Sequence, residues 1–385
     1  MAFAKLSSAG RATNRFRRAL LAWYRATKRD LPWRRTNDPY CIWLSEIMLQ
    51  QTRVAAAIAY YEKFLQRFPT VESLASARID EVLRLWAGLG YYSRARNLHR
   101  AAQEIVARHD GRFPRAWNDA IALPGIGDYT AAAILSIAYG APHAVLDGNV
   151  ARVLARLDAI RGDLRAPRRW NALAARAQEI ADPAAPGDWN QAMMELGATV
   201  CLPKSPHCEI CPVHNFCRAR ALGLQNSIPA ARRKRAPEIV TLAAAVLVDP
   251  RGRTMLLRPA AAEAALFSHL WQFPAVAVRA DEPAAAKTKT GSTLRSTLAR
   301  HLRLSHGVAW ITAAQLEPAA DSRHTVTFRR IRIVTFLARV KQLPRSRAAR
   351  TPRLTRVAHF AVSSATKKIA ASALRILSVP LPSKQ

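Results

Sequence analysis

The sequence has few acidic residues. Its 385 residues include 59 Lys and Arg against 26 Asp and Glu, which gives a formal net charge of +33. Both halves of the chain are basic, and the C-terminal part is the more densely basic. Such an imbalance favours a polyanionic partner and binding that weakens as salt rises. A solvated basic surface without such a partner is the alternative interpretation.

Long apolar runs are also missing. No stretch of 18 consecutive apolar residues occurs, so we expect no membrane-spanning helix and a cytoplasmic protein. The arginine-rich residues 11–18 resemble a transit peptide in composition. However, Phe16, Leu20, Trp23 and Tyr24 form an apolar stripe at helical spacing, which predicts that this segment is the first helix of the fold.

Cysteine is scarce and odd in number, which argues against a disulfide framework. Of the five cysteines, four are spaced C-x6-C-x2-C-x5-C, and these are Cys201, Cys208, Cys211 and Cys217. Four thiolates so close in sequence can enclose one iron–sulfur cluster or one zinc ion, and the spacing alone does not separate the two. The fifth, Cys41, lies among apolar residues, and we expect it to be packed in the core.

The sequence has no internal repeats, and its residue pattern changes once, from helical periodicity to segments rich in strand-forming residues. Residues 14–222 show helical periodicity with no convincing strand. We predict a helical domain over 1–224, a basic linker over 225–237 and an α+β domain over 238–378. In the last domain we expect strands at 239–248, 253–257, 308–312 and 325–337, helices at 284–303 and 363–377, and loops at 283–292 and 343–352.

Residues 115–139 have the pattern helix, tight turn, helix. Gly125 and Gly127 let the backbone turn sharply and leave N–H groups unshielded at the start of the second helix. Such a place binds an anion, and on nucleic acid the anion is a phosphate. Asp147 follows shortly afterwards, just ahead of another predicted helix, where the helix dipole favours a charged carboxylate.

Glu46 is the second carboxylate of interest. It lies within the apolar surface of a predicted helix that begins near Pro39. Burial there raises the pKa of the carboxyl and favours the protonated acid. Two carboxylates in opposed environments are the usual basis for assigning one acid and one anionic stabiliser. The competing interpretation is a structural Glu46 paired with an arginine.

Residues 43–52, 123–131 and 146–153, together with the cysteine pattern, resemble the adenine DNA glycosylases of the MutY type. That family belongs to the helix-hairpin-helix glycosylases, with endonuclease III. The resemblance implies that Glu46 protonates adenine and that Asp147 stabilises the developing sugar cation, as in a two-carboxylate glycosidase. It also implies that Tyr129 and Asn149 position the acid, the aspartate and the attacking water.

The resemblance assigns further residues. Trp33, Arg34 and Gln191 match positions that line the pocket for the flipped adenine. Gln51 and Tyr91 match side chains that wedge into the duplex. The four cysteines correspond to ligands of a [4Fe-4S] cluster.

The implied function is base excision repair of adenine mispaired with 8-oxoguanine or guanine in double-stranded DNA, by a monomer associated with the nucleoid. Endonuclease III-like enzymes carry a lysine at the position of Tyr129, and a phenol cannot form a Schiff base. We therefore expect a monofunctional glycosylase. A bifunctional glycosylase/lyase and a non-catalytic iron–sulfur DNA-binding protein are the alternatives.

The C-terminal residues resemble the family's Nudix-like, lesion-reading domain more weakly. The magnesium-binding hydrolase signature is missing, which argues against a nucleotide hydrolase. Thr327 and Phe328 align with the lesion-reading loop, but the histidine of the family's Phe-Ser-His is lost. We therefore expect a weaker preference for 8-oxoguanine over guanine opposite the adenine.

Overall fold

The computed structural model describes residues 2–230, 236–258, 269–279, 291–306, 308–326, 328–344 and 348–378, with side chains from Gly10 onwards. The chain forms two compact units. The first comprises Met1–Ala77 and Tyr91–Arg233, and the second comprises Arg78–Gly90 and Lys234–Gln385. No strand occurs in residues 2–230, which confirms the predicted all-helical N-terminal region.

The first unit consists of helices and short 3-10 turns. Its α-helices are α1 (Ala2–Thr27), α2 (Pro39–Leu49), α3 (Val54–Arg67), α4 (Val71–Ala75), α6 (Ser93–Arg108), α7 (Trp117–Ala122), α8 (Asp128–Tyr139), α9 (Gly148–Leu157), α10 (Pro167–Ile180), α11 (Pro186–Thr199) and α12 (Arg218–Ala221). Three 3-10 turns cover Pro32–Arg34, Cys208–Ile210 and His214–Phe216. Helix α5 (Ile79–Trp86) belongs to the second unit.

Two helices lie deep inside the first unit. Helix α2 is apolar on nearly all sides and is buried at Tyr40 and from Ile42 to Met48, as such composition requires. Cys41, which we expected in the core, is only partly buried. Asp38 starts α2 by accepting a hydrogen bond from the Tyr40 amide at 2.8 Å. Helix α8 is buried from Thr130 to Ser136. The two pack together, and α11 packs on α8, α9 and α1, so side chains distant in sequence meet between them.

The second unit is α+β, as predicted. Its strands are β1 (Glu238–Val248), β2 (Leu256–Leu257), β3 (Ala275–Arg279), β4 (Glu317–Val326), β5 (Arg329–Arg339) and β6 (Ala349–Arg350). Its other α-helices are α13 (Gly291–His306) and α14 (Ser364–Leu377), with 3-10 turns at Ala313–Gln315 and Leu354–His359. The main sheet has the order β3-β1-β5-β4, and β2 pairs with β6.

Pairing within the main sheet is mixed. Strand β1 runs parallel to β5, from Glu238 opposite Arg329 to Val248 opposite Arg339. Strands β3 and β4 lie antiparallel on either side. Helix α13 contributes Leu298 and Leu302 to a core that includes Leu247 and Phe336.

Several predicted strands need correction. Residues 308–312 are not a strand; Val308 and Ile311 are buried at a spacing of three residues ahead of a 3-10 turn. Residues 325–337 are not one strand, because β4 ends at Val326 and β5 begins at Arg329. Within the predicted loop 343–352, Ala349 and Arg350 form β6.

Two helices and several loops were also predicted in the C-terminal part of the chain. The predicted helix 363–377 is confirmed as α14, with Ser363 as its N-cap. The predicted helix 284–303 is described only from Gly291, as α13. Most of the predicted loop 283–292, residues 345–347 and linker residues 231–235 lie outside the described residues.

Candidate active site and iron–sulfur loop

A cavity of about 220 Å³ lies in the first unit, among α2, α8, α9 and α11. It brings together seven of the residues that the sequence singles out, namely Trp33, Arg34, Glu46, Tyr129, Asp147, Asn149 and Gln191. Its volume is below the range of about 300–1,000 Å³ usual for drug-sized ligands. The cavity therefore suits a small planar group such as a single base.

Glu46 enters this cavity from α2 and is 6 % exposed. Burial raises its pKa to about 7; the hydrogen bond from Tyr129 lowers the pKa, Asp147 raises it and Arg34 lowers it. The Tyr129 hydroxyl donates a hydrogen bond to the Glu46 Oε2, with its Oη 2.9 Å away. Glu46 thus carries a proton over a range of pH that reaches neutrality, as a general acid requires.

Tyr129 lies in the first turn of α8. Burial raises the pKa of its phenol well above the ordinary value, so the hydroxyl keeps its proton and donates a hydrogen bond to Glu46. The Tyr129 Oη also lies 3.1 Å from the Met194 Sδ on α11. These contacts hold the phenol against one oxygen of the acid.

Asp147 is the N-cap of α9. Its Oδ1 accepts hydrogen bonds from the Asn149 amide at 2.9 Å and the Val150 amide at 2.7 Å. Its Oδ2 accepts one from the Asn149 side chain at 3.0 Å. These donors and the N-terminal end of the helix dipole stabilise a carboxylate anion at the cavity.

An ion-pair network that sequence reasoning missed closes one side of the cavity. Arg29 binds Glu195 through Nε and Nη2, both at 2.7 Å, and Arg34 binds the same carboxylate at 2.7 Å. Burial opposes ionisation of Glu195, but the hydrogen bonds from Arg29 and Arg34 outweigh it and lower its pKa to about 2. The arginine-paired glutamate of this site is therefore Glu195, one helical turn after Gln191 on α11, rather than Glu46.

The predicted wedge residues do not line this cavity. Gln51 and Tyr91 are exposed, and Tyr91 is 41 % exposed. Both have left-handed backbones, with φ of 57° and 47°. That conformation is uncommon for residues with a side chain and costs of order 1–3 kcal/mol each. The sequence shows no signal for these conformations, since neither residue is glycine or asparagine.

The turn before α8 has the predicted form. Gly125 has φ of +81°, and a Cβ there would lie 2.8 Å from the Asn97 Cβ. Gly127 has an extended backbone and open space around it. No side chain caps the N-terminus of α8, so its first N–H groups remain available to an anion.

The four cysteines lie after α11 and before α12 and are partly buried. Arg156 on α9 is 1 % exposed, and its hydrogen bonds fix the position of this loop. Its Nη1 lies 3.2 Å from the Cys201 Sγ and donates to the Leu202 carbonyl at 2.6 Å. Phe216 in the loop packs edge-on against Phe16 of α1 at 5.6 Å.

The four sulfurs suit an iron–sulfur cluster or a metal ion. Burial, followed by neighbouring thiols, raises the pKa of Cys208, and burial raises that of Cys211 to about 11. A bound inorganic group would stabilise the thiolate form that ligation requires.

The predicted lesion-reading residues belong to the second unit. Phe328 is partly buried, and the Arg329 guanidinium lies 5.4 Å from its ring centroid. Thr327 lies outside the described residues. Phe328 therefore sits in the short connection between β4 and β5.

Comparisons with known proteins match the parts of the chain that carry this site. Residues 44–176 match the HhH-GPD superfamily base excision DNA repair proteins, and residues 201–217 match the iron–sulfur binding domain of endonuclease III. Over residues 44–176 the chain is similar to the base excision DNA repair proteins of that superfamily. The first of these matches spans Glu46, Tyr129 and Asp147, and the second spans all four cysteines.

The proteins that this chain resembles include several named adenine DNA glycosylase, which confirms the predicted resemblance. The human protein is 52 % identical over 214 residues, which are 53 % of this chain and 39 % of the human protein. The Arabidopsis thaliana protein is 36 % identical over 349 residues, 79 % of this chain and 54 % of that protein. A solved thermostable thymine-DNA glycosylase is 28 % identical, with a TM-score of 0.51, over 56 % of this chain and 99 % of that one.

The matched parts span about half or less of these curated relatives. The match over residues 201–217 supports an iron–sulfur cluster of the [4Fe-4S] type as the cofactor, and these residues include Cys201, Cys208, Cys211 and Cys217. When bound, the cluster supplies a rigid core for a loop rich in proline. In the described part of the chain, no helix is both long and apolar enough to cross a membrane.

Proposed function

We propose that this glycosylase hydrolyses the N-glycosidic bond of adenine mispaired with 8-oxoguanine or guanine in double-stranded DNA. It acts as a monomer on chromosomal DNA in the cytoplasm. The observation that carries the proposal is the cavity in which a protonated Glu46 and an anionic Asp147 face the same space. A proton donor and an anion beside one bond are what glycoside cleavage requires.

The proposed chemistry assigns each side chain a step. Tyr129 occupies Oε2 of Glu46, so the acid's proton is directed from Oε1 toward adenine N7. As the bond from C1′ to N9 breaks, its electron pair moves onto the base, which the proton neutralises. Asp147 stabilises the positive charge left on the sugar until water adds at C1′ and releases a proton.

The pocket residues hold the base. Trp33 is buried against Tyr61, with ring centroids 5.3 Å apart, and offers an aromatic face to the flipped adenine. Gln191 has both a donor and an acceptor for the edge of the base. Arg34 is held by Glu195 and by the Tyr24 ring, 5.5 Å away.

The absence of a nearby amine supports a monofunctional enzyme. Among the described residues that line the cavity there is no lysine, and Tyr129 keeps its proton. Without an amine, no Schiff base forms with the sugar, so the product is an intact strand with an abasic site.

A single-turnover assay tests both parts of the proposal. We expect the wild-type protein to release adenine from a duplex with one 8-oxoguanine:A pair, and strand breaks to appear only after alkali. A T:A duplex of the same sequence is the control and should stay intact. No alkali-labile site would refute the glycosylase, while strand breaks without alkali at the rate of base loss would refute the monofunctional assignment.

The second unit is proposed to be a Nudix-like domain that reads the lesion. Val326, Thr327 and Phe328 align with the family's Phe-Ser-His, so we expect a smaller ratio of 8-oxoguanine:A to G:A excision rates than in a relative with that histidine. A side-by-side comparison with such a relative tests this, and an equal or larger ratio would contradict it.

A further inference from the structure

Arg94 occupies an unusual position between the two proposed wedge residues. It lies in the first turn of α6, three residues after Tyr91, and is 8 % exposed. Burial lowers its pKa to about 10, so the guanidinium remains charged at neutral pH. A buried cation is kept only where fixed groups compensate it.

Those groups belong to the end of α2 and the turn after it. The Arg94 Nη1 donates to three carbonyls, those of Ile47 at 2.8 Å, Met48 at 3.0 Å and Gln50 at 2.6 Å. The Nη2 donates to the Thr52 Oγ1 at 3.3 Å. The arginine therefore binds the residues on both sides of Gln51 and closes the open carbonyls of the helix that carries the acid.

The same guanidinium lies 5.5 Å from the centroid of the Tyr91 ring. A cation over an aromatic face restrains the ring. Among the predicted site residues other than glycine, Gln51 and Tyr91 are the two with left-handed backbones. In residues with a side chain, this conformation persists only when surrounding contacts enforce it.

We propose that Arg94 is a positioning residue that holds Gln51 and Tyr91 in register with each other, so that both enter the duplex at the adenine. This inference rests on the proposed function. Arg94 touches neither the cavity nor the base; it acts through the two wedges. Its loss weakens base extrusion while the proton donor and the anion stay intact.

The test uses Arg94→Lys, which keeps a cation near the carbonyls but loses the planar contact with Tyr91. Arg108→Lys, at the exposed far end of α6, is the matched control. Single-turnover excision is measured on two duplexes, one with adenine opposite 8-oxoguanine and one with adenine opposite an abasic-site analogue. The second adenine is unpaired, so its extrusion is easier.

We expect Arg94→Lys to slow excision about tenfold on the paired duplex and less on the unpaired one, with Arg108→Lys unchanged on both. In a Tyr91→Leu background the lysine substitution should have less effect, because the side chain through which it acts is gone. An equal loss on both duplexes, full additivity with Tyr91→Leu, or no loss would overturn the proposal.

A variant that does not fold would leave no answer, so circular dichroism and the iron–sulfur absorbance are checked first. Should Arg94→Lys not fold, Thr52→Val is measured in the same way. It removes the acceptor of the Nη2 hydrogen bond together with the 3.5 Å hydrogen bond from the Thr52 hydroxyl to the Gln50 carbonyl. We expect a smaller loss that is again selective for the paired duplex. If Thr52→Val slows excision equally on both duplexes, or on neither, the proposal is overturned. A wild-type protein that excises nothing would instead refute the proposed function.

Discussion

Glu46 and Glu195 show how the same residue type takes opposite states within one cavity. Glu46 has a phenol as its hydrogen-bond partner, and burial raises its pKa to about 7. Glu195 has two arginines, which lower its pKa to about 2 against the effect of burial. The protonated acid and the ionised acid differ because of their partners rather than their depth.

The pH dependence of excision should report this arrangement. Since Glu46 must be protonated, the rate should fall as pH rises above about 7. Glu195→Gln removes a negative charge that compensates Arg29 and Arg34, and the uncompensated cations favour the ionised form of Glu46. In the Glu195→Gln variant we expect the excision rate to fall at a lower pH than in the wild-type protein, so the alkaline limb of its rate–pH profile moves to lower pH. Single-turnover rates from pH 5.5 to 9 measure this shift.

A matched variant controls for the loss of an ion pair between α1 and α11. Asp188 on α11 pairs with Arg25 on α1 at 3.0 Å, with side chains 35 % and 56 % exposed. Asp188→Asn should leave the alkaline limb in place. If both variants shift the limb equally, or neither does, Glu195 does not tune the acid.

The charge state of a site residue could be predicted where its neighbours in sequence determine its environment. Glu46 is surrounded by apolar neighbours on its own helix, and Asp147 directly precedes a helix, so both environments can be deduced from adjacent residues. Glu195 could not be assigned in this way, because Arg29 and Arg34 lie more than 160 residues away. Only the packing of α11 near α1 and the turn at Pro32–Arg34 brings them together.

Helix α9 couples a structural cap to the proposed chemistry through Asp147. Asn is as good an N-cap as Asp, so Asp147→Asn should change stability by less than about 0.5 kcal/mol, whereas Asp147→Ala should cost about 1 kcal/mol. Because the anion is lost in both, excision should fall at least about a hundredfold in each. Urea denaturation and single-turnover assays separate the two effects; an active Asp147→Asn variant would contradict the assignment.

The turn between α7 and α8 offers a matched pair of glycines. Gly125→Ala places a Cβ at positive φ and against Asn97, so it should distort the turn and weaken DNA binding roughly tenfold or more. Gly127→Ala meets neither obstacle and should retain more affinity. Affinities from fluorescence anisotropy decide this, and equal effects would show that backbone geometry is not the reason for Gly125.

At the level of elements, helices were easier to predict than strands. The buried helices α2 and α8 have long apolar patterns, whereas β4 is largely exposed and carries charged and small residues. Strand β4 pairs antiparallel with β5 across a short connection that no glycine, proline or asparagine marks, so the local pattern predicted one strand where there are two. The strand predicted at 308–312 was wrong for a related reason. Two buried side chains in an irregular segment give the same apolar pattern as a short strand.

At the scale of the whole molecule, the net charge of +33 has a direct consequence. Binding to DNA should release counterions, so log K should fall linearly with log salt. If six or more phosphates are neutralised, affinity should drop about a thousandfold between 50 and 200 mM salt. Anisotropy titrations test this with an undamaged duplex, and a flat salt dependence would mean that the basic surface has another use.

Composition alone indicated a polyanionic partner, but not which surface meets it. The cavity depends on residues drawn from positions 29 to 198 of the chain. Only the folded helices place the protonated Glu46 and the anionic Asp147 together, and the proposed reaction requires both at one glycosidic bond.

Excision by Glu46→Gln, compared with the wild-type protein on an 8-oxoguanine:A duplex, tests that claim most directly. Glutamine keeps the shape of the side chain and can accept the Tyr129 hydrogen bond, but it has no acidic proton to give. The account predicts wild-type affinity for the duplex and an excision rate reduced at least about a hundredfold at pH 7. A Glu46→Gln variant that removes adenine at the wild-type rate would contradict it.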